Sequence, residues 1–136
     1  MATVNFYNGL DYDFSIHNEE DELRGLTVSG FKGNNPFEYR GFNELELKAA
    51  RDVVTCFFTK VQSINTNYSS YGLKHLVERY LSKFTSMEIN YVSNGALILA
   101  MYDAGFRLKR LQDGSPNCYF NVSQKSIKKL EDLLNR

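Results

Sequence analysis

The sequence predicts an α+β domain, and three observations carry that prediction. Residues 1–40 alternate apolar and polar side chains between turn-forming Gly, Asn and Pro, the period of half-buried strands. From residue 43 onward, apolar positions recur at three-and-four spacing behind Asn and Ser residues that suit helix N-caps. Near the C-terminus two further alternating segments flank Gln112-Asp113-Gly114-Ser115-Pro116-Asn117, which is loop chemistry throughout.

Each element follows from its own pattern. Val4 and Phe6 precede Asn8-Gly9, a tight-turn dipeptide, and Leu10, Tyr12, Phe14 and Ile16 then alternate, so a hairpin is expected over the first 16 residues. His17 through Glu22 is a polar turn. Leu26 and Val28 mark a short strand that ends at Gly30 and the Gly33-Asn34-Asn35-Pro36 segment. Asn43 with Glu46 fits a helix start, and Ala50, Val53, Val54, Phe57, Phe58 and Val61 form its apolar face until Gln62–Asn67 ends it. Ser69 or Ser70 caps a second helix with Leu73, Leu76, Val77, Tyr80 and Leu81 inward. Residues 83–90 connect onward, with a short strand at Tyr91-Val92. Ser93 caps a third helix carrying Ala96, Leu97, Ala100, Met101 and Ala104, and Gly105 stands where it stops. Phe106, Leu108 and Arg110 face one way on a first hairpin strand, and Cys118, Phe120 and Val122 alternate on the second. Ser123 or Ser126 then caps a final short helix with Ile127, Leu130, Leu133 and Leu134 apolar.

From residue 41 this order is three helices, a hairpin and a short C-terminal helix, the order of a winged helix-turn-helix. The expected organisation is therefore an N-terminal antiparallel β-extension over residues 1–40 and a winged-helix-like unit over 41–136. At 136 residues and 15.7 kDa, with 43% hydrophobic and 24% charged residues, the chain has the balance of one folded domain and excludes wholesale disorder. No apolar run approaches the ~20 residues of a membrane span, and the first residues lack a secretory apolar segment, so a cytoplasmic protein without membrane association is expected. Cys56 and Cys118 are too few for a disulfide framework or zinc cluster and are expected as reduced core thiols.

The net charge is zero, yet it is unevenly distributed. Residues 1–50 carry nine acids and four bases, whereas residues 51–136 carry seven acids and twelve bases. A basic half suits a polyanion, and an acidic half can repel or imitate one. Arg107, Lys109 and Arg110 on the hairpin, with Lys125, Lys128 and Lys129 after it, make the strongest positive cluster, placed where a wing would lie beside a phosphate backbone. The start of the second helix offers Ser69, Ser70 and Tyr71, with Lys74 and His75 in the next turn. Free N–H groups there suit a phosphate, and Tyr68 or Tyr71 could stack on a base. The third helix holds no Arg, Lys or Gln to read base edges. Its Ile98, Leu99 and Tyr102 are expected to face outward and to be covered by the N-terminal sheet, by a second copy or by another protein.

Catalytic chemistry finds no set. Cys56 and Cys118 lie among apolar neighbours rather than beside His17 or His75, and His75 with Glu78 has the spacing of ordinary helix charge pairing. Asp11, Asp13, His17 and Glu20 have metal-ligand atoms but not the spacing of a calcium loop. No enzyme, metal or cofactor is expected.

The stretch SSYGLKHLVERYL, followed by YVSNGALILAMYDAGFRLKR and SPNCYFNVS, resembles small uncharacterised proteins of prophages and integrative elements over residues 51–125. The third helix and hairpin are also similar to the winged-helix tails of phage replication proteins. The resemblance implies a mobile-element origin in a bacterial host and no particular activity. Together these features lead to a non-enzymatic accessory protein that binds nucleic acid or a host nucleic-acid–protein complex through the basic hairpin and the second helix's N-terminus. The alternative is an anti-CRISPR-like inhibitor of a host defence nuclease, in which the acidic segment imitates phosphate and the third helix docks or forms a homodimer.

Overall fold

The computed structural model of the chain describes residues 12–85 and 89–136. The described residues form an α+β structure with four α-helices and two small antiparallel sheets. Two 3-10 turns, Phe14–His17 and Asp21–Leu23, precede a minimal hairpin of β1 (Leu26–Thr27) and β2 (Gly30–Phe31). There follow α1 (Glu44–Phe57), β3 (Lys60–Asn65), α2 (Ser70–Phe84), α3 (Asn94–Asp103), β4 (Leu108–Arg110), β5 (Cys118–Val122) and α4 (Gln124–Leu134).

Local chemistry sets the helix ends. Asn43 Oδ1 accepts the Glu46 N–H at 3.1 Å, Ser93 Oγ that of Ala96 at 3.1 Å, and Ser123 Oγ that of Ser126 at 3.2 Å, each satisfying one otherwise unpaired first-turn donor. Gly105, at φ +93°, closes α3. Its N–H donates to Tyr102 O and the Phe106 N–H to Met101 O, the paired bonds of a Schellman motif. Phe106 therefore belongs to the helix stop, and the hairpin strand begins only at Leu108.

The larger sheet runs β3-β5-β4. Lys109 lies opposite Tyr119 and Arg110 opposite Cys118, while Lys60 pairs Val122 across an irregular β3–β5 register. Cys118, Phe120 and Val122 are fully buried against the helices, so Tyr119 and Lys109 share the opposite face of the pleat.

Several expectations are corrected. Tyr12, Phe14 and Ile16 are not a strand: Phe14–His17 is a 3-10 turn. Asp13 Oδ1 accepts the Ser15 N–H at 3.1 Å and is also bonded by the Ser15 hydroxyl, and such local bonding competes with extended backbone. Val4, Phe6, Asn8-Gly9 and Leu10 lie outside the described residues. The first helix stops at Phe57, and the polar run after it is β3, with Val61 exposed on that strand rather than on a helix face. Tyr91-Val92 forms no strand, because the Val92 N–H donates to the Glu78 carboxylate at 3.0 Å.

The largest correction concerns α3. Every residue from Asn94 to Met101 is buried, Ile98 and Leu99 completely, and Tyr102 is half-buried. A helix apolar on all sides is a central helix. α1 and α2 pack against it, as do the Phe14–His17 turn and β2. Phe14, Leu23, Leu26, Phe31 and Phe37 thus join the same core as Leu47, Val53, Leu73 and Leu130. Ile98 and Leu99 are covered within the chain, so they present no outward docking surface. At about 1.5–3 kcal/mol for each large apolar side chain removed from water, this N-terminal layer is integral to the fold.

Gly95 makes the layer possible. A Cβ there would lie 1.9 Å from Thr27 O, and the Gly95 N–H donates to Val28 O at 2.9 Å. The β1–β2 turn therefore rests directly on the first turn of α3.

Candidate nucleic-acid interface

Six of the seven charged residues between positions 104 and 130 are basic, Asp113 being the exception. The hairpin and the following helix hold them on adjoining elements. Arg107 is anchored by its backbone, whose N–H donates to Asn121 Oδ1 at 2.7 Å, and its guanidinium bonds Gln62 O on β3. Asn121 in turn donates to Val61 O at 2.9 Å. A buried amide thus ties β3, β5 and the approach to β4 together beneath Arg107. Lys109 stands exposed on the outer pleat beside Tyr119.

Arg110 is used differently. Its guanidinium lies 4.3 Å from the Phe31 ring centroid and donates to Arg24 O at 3.1 Å, so it fastens the hairpin to the N-terminal layer. On α4, Lys125, Lys128 and Lys129 are exposed, and Lys128 pairs with Asp132 at 3.2 Å. The start of α4 is held to the end of β3 by Gln124 Oε1, which accepts from Asn65 Nδ2 at 3.0 Å and Asn67 Nδ2 at 3.2 Å. Arg107, Lys109, Lys125 and Lys129 remain as accessible positive charges on the hairpin and α4.

The expected phosphate site at the start of α2 does not form as anticipated. Ser70 is fully buried and its Oγ accepts the Cys118 N–H at 3.2 Å, docking α2 onto β5. Ser69 is half-buried at the N-cap and makes no side-chain cap bond. Lys74 is buried, with its ammonium 3.0 Å from Glu78 Oε2, so its charge is neutralised before any ligand arrives. Tyr71 and His75 are exposed, ring to ring at 4.4 Å, and His75 Nδ1 lies 3.1 Å from Glu78 Oε1. The reason is tertiary: β5 takes up the Ser70 hydroxyl, and the residues before α3 bring Tyr91 to Lys74 and the Val92 N–H to Glu78.

Both histidines are bound to carboxylates. His17 sits between Glu20 and Asp103, and His75 beside Glu78. Burial pushes the Cys118 thiol up to about 12, and burial likewise raises the Cys56 thiol, the opposite of an activated nucleophile. Among the described residues no group of three or more His, Cys, Asp or Glu side chains could hold a metal ion. Among them, too, no helix is long and apolar enough to cross a membrane.

Two residues absent from the sequence-based site belong to the surroundings of Tyr71. Tyr91 is exposed, with its ring centroid 4.8 Å from the Lys74 ammonium. Asn94, buried at the start of α3, donates to Asn117 Oδ1 at 2.9 Å. The position of Asn94 just after a helix cap was visible in the sequence, but its contact with the hairpin loop was not. Compared with protein-family models, with curated proteins and with solved structures, the chain matches none.

Proposed function

We propose that the protein is a non-enzymatic nucleic-acid-binding domain of winged-helix type, whose contact surface is the β4–β5 hairpin with the exposed face of α4. The observation that carries this reading is the accessible basic set Arg107, Lys109, Lys125 and Lys129 on contiguous elements, without an acidic partner among the described residues such as those that pair Lys74 and Lys128. The element order supports the winged-helix part. The strand after α1 pairs with the second hairpin strand, giving the order β3-β5-β4. In this arrangement the helix that would enter a major groove is α3, and its burial removes it from that role. Affinity then comes from phosphates met by the hairpin and α4, which makes binding largely independent of sequence and strongly dependent on salt. A cytoplasmic, mobile-element setting in a bacterial host is part of the same proposal.

A second reading is favoured by one observation. Glu19, Asp21, Glu22 and Glu38 are all exposed within residues 19–38, a surface that could imitate phosphates toward a basic partner such as a defence nuclease. Fluorescence anisotropy with labelled single- and double-stranded DNA and RNA, at about 50 mM and about 200 mM salt, tests the first. Binding that weakens at least tenfold over that range, and that weakens further in Arg107→Glu with Lys109→Glu, is the expected result. No binding to any of these at the lower salt would overturn it and leave the acidic surface as the better guide.

A further inference from the structure

We infer that the cleft where the start of α2 meets the β1–β2 turn and the β4–β5 loop accepts a single unpaired nucleobase. This deepens the proposed function, and it rests on that reading for the source of the base. The cleft encloses about 440 Å³ and is lined chiefly by Tyr71, Lys74, Tyr91, Asn94, Pro116 and Asn117. That volume lies at the small end of the range for ligand pockets and has room for a single nucleoside.

Its walls are prepared for a flat, neutral group. Tyr71 and Tyr91 are 52% and 58% exposed, so their rings meet solvent instead of the core. The Lys74 ammonium lies 5.6 Å from the Tyr71 centroid and 4.8 Å from that of Tyr91, holding both rings by cation–π attraction. Lys74 cannot serve as a phosphate site, because Glu78 Oε2 lies 3.0 Å away and also accepts the Val92 N–H. Aromatic faces around a neutralised cation favour stacking over charge recognition.

The floor supplies the polar requirement. Asn94 is only 7% exposed, and its Nδ2 donates to Asn117 Oδ1, Ser29 O and Pro116 O, at 2.9, 3.3 and 3.4 Å. All three acceptors are on residues that line the cleft. Its Oδ1 is buried and accepts no hydrogen bond. A buried acceptor without a donor is costly, and an N–H on the edge of a planar ring would remove that cost once the Asn94 amide turns toward the cleft. Nucleobases carry such groups on the edge they use for pairing, which is free only when the base is unpaired. Pro116 and Asn117 follow β4 in the same loop that the basic strand enters, so a strand lying on the hairpin can deliver a base to this wall.

The test uses the full chain in two titrations. In the first, adenosine and cytidine are added while the Asn94 side-chain amide and the Tyr71 and Tyr91 ring signals are followed by NMR. In the second, anisotropy compares a labelled single strand with its duplex for the native chain, Tyr71→Ala and Tyr91→Ala. The exposed position of both rings keeps these variants folded. Nucleosides should shift all three residues, and each substitution should weaken single-strand binding about 5- to 100-fold while leaving duplex binding on the hairpin unchanged. A silent Asn94 amide, or an unchanged single-strand to duplex ratio in both variants, overturns the cleft and leaves the basic hairpin standing. Nucleoside shifts without any oligonucleotide binding would sustain the cleft and overturn the hairpin.

Discussion

His17 joins the N-terminal layer to the end of α3 through Asp103: its Nε2 lies 2.7 Å from Asp103 Oδ1, while its Nδ1 lies 3.0 Å from Glu20 Oε1. Asp103 Oδ2 also accepts from Arg51 Nε at 2.6 Å, the Arg51 guanidinium stands 4.8 Å from the Tyr12 ring centroid, and Tyr102 donates its hydroxyl proton to Glu20. One imidazole therefore sits where three elements meet. Protonated, it donates from both nitrogens to two carboxylates.

This arrangement predicts a pH-dependent anchoring of residues 12–23. Burial alone would lower the His17 pKa, but hydrogen bonds and charge from Glu20 and Asp103 outweigh it and raise the pKa above the ordinary 6.5. A raised folded-state value stabilises fully below the unfolded pKa and is lost as pH rises through the folded one. Glu20 has the reverse sign. The Tyr102 hydrogen bond, opposed by burial and aided by His17, holds its carboxyl below the ordinary 4.5, so its contribution fades as pH falls. Anchoring should be tightest between about pH 4.5 and about pH 6.5. Urea midpoints should fall as pH climbs above that window in the native chain, and His17→Gln should start lower and be flatter. Equal slopes for the two would show that His17 does not couple the layer to α3.

Leu99→Ala should destabilise the fold by about 2–5 kcal/mol, because Leu99 is fully enclosed between layers. Thermal unfolding should drop by on the order of 10 °C for a domain of this size. The elution volume in size-exclusion chromatography should not change, since the side chain reaches no surface. A stable variant with altered association would put Leu99 at an interface instead.

Gly95→Ala sets two effects against each other. Replacing a helical glycine by alanine gains up to about 1 kcal/mol in helix propensity in a helix interior, and less in the first turn, where Gly95 stands. Here the new Cβ would lie 1.9 Å from Thr27 O and 2.9 Å from Val28 Cα, and backbone cannot yield as a side-chain tip can. The clash should win, lowering stability by at least about 2 kcal/mol. It should also raise hydrogen exchange at Phe31 and Lys32, whose N–H groups hold the β2 end of this layer. A variant as stable as the native chain would show that the β1–β2 turn shifts freely.

These contrasts explain what could be read in advance. Asn43, Ser93 and Ser123 were legible as caps because cap and donor lie three residues apart, so the information is local. Phe14 and Ile16 alternated by coincidence, and Asp13, two residues before Ser15, decided the backbone instead. β3 was hidden because most of its side chains are exposed and its partner β5 lies over fifty residues away. Ile98 and Leu99 are expected on the outer side of the helical layer and covered there; of the three expected covers, the N-terminal layer is the one the structure has, which leaves them no interface role. The all-round apolarity of α3 was the available signal that a second layer covers it. Lys74 and Glu78 had legible pair spacing, but their burial depends on Tyr91 and the hairpin loop, which no local pattern reveals.

That difference between exposed and buried lysines yields the last prediction. Lys125 and Lys129 are exposed and make no ion pair among the described residues, whereas Lys74 is buried against Glu78. Removing a cation that touches phosphate lowers the slope of log K against log salt by roughly 0.7–0.9 per contact. Lys125→Ala and Lys129→Ala should each flatten the slope by about that amount and leave thermal unfolding within about 0.5 kcal/mol of native. Lys74→Ala should do the opposite. It removes the buried cation paired with the Glu78 carboxylate, itself 15% exposed, and leaves that carboxylate the Val92 N–H and His75, at a cost on the order of 2 kcal/mol, below the full penalty of a wholly buried pair. Its effect on the salt slope should be nil, because its charge never faces the nucleic acid. If Lys74→Ala flattened the slope while Lys125→Ala and Lys129→Ala did not, the phosphate contacts would lie at the start of α2, and the hairpin and α4 would lose their assigned role.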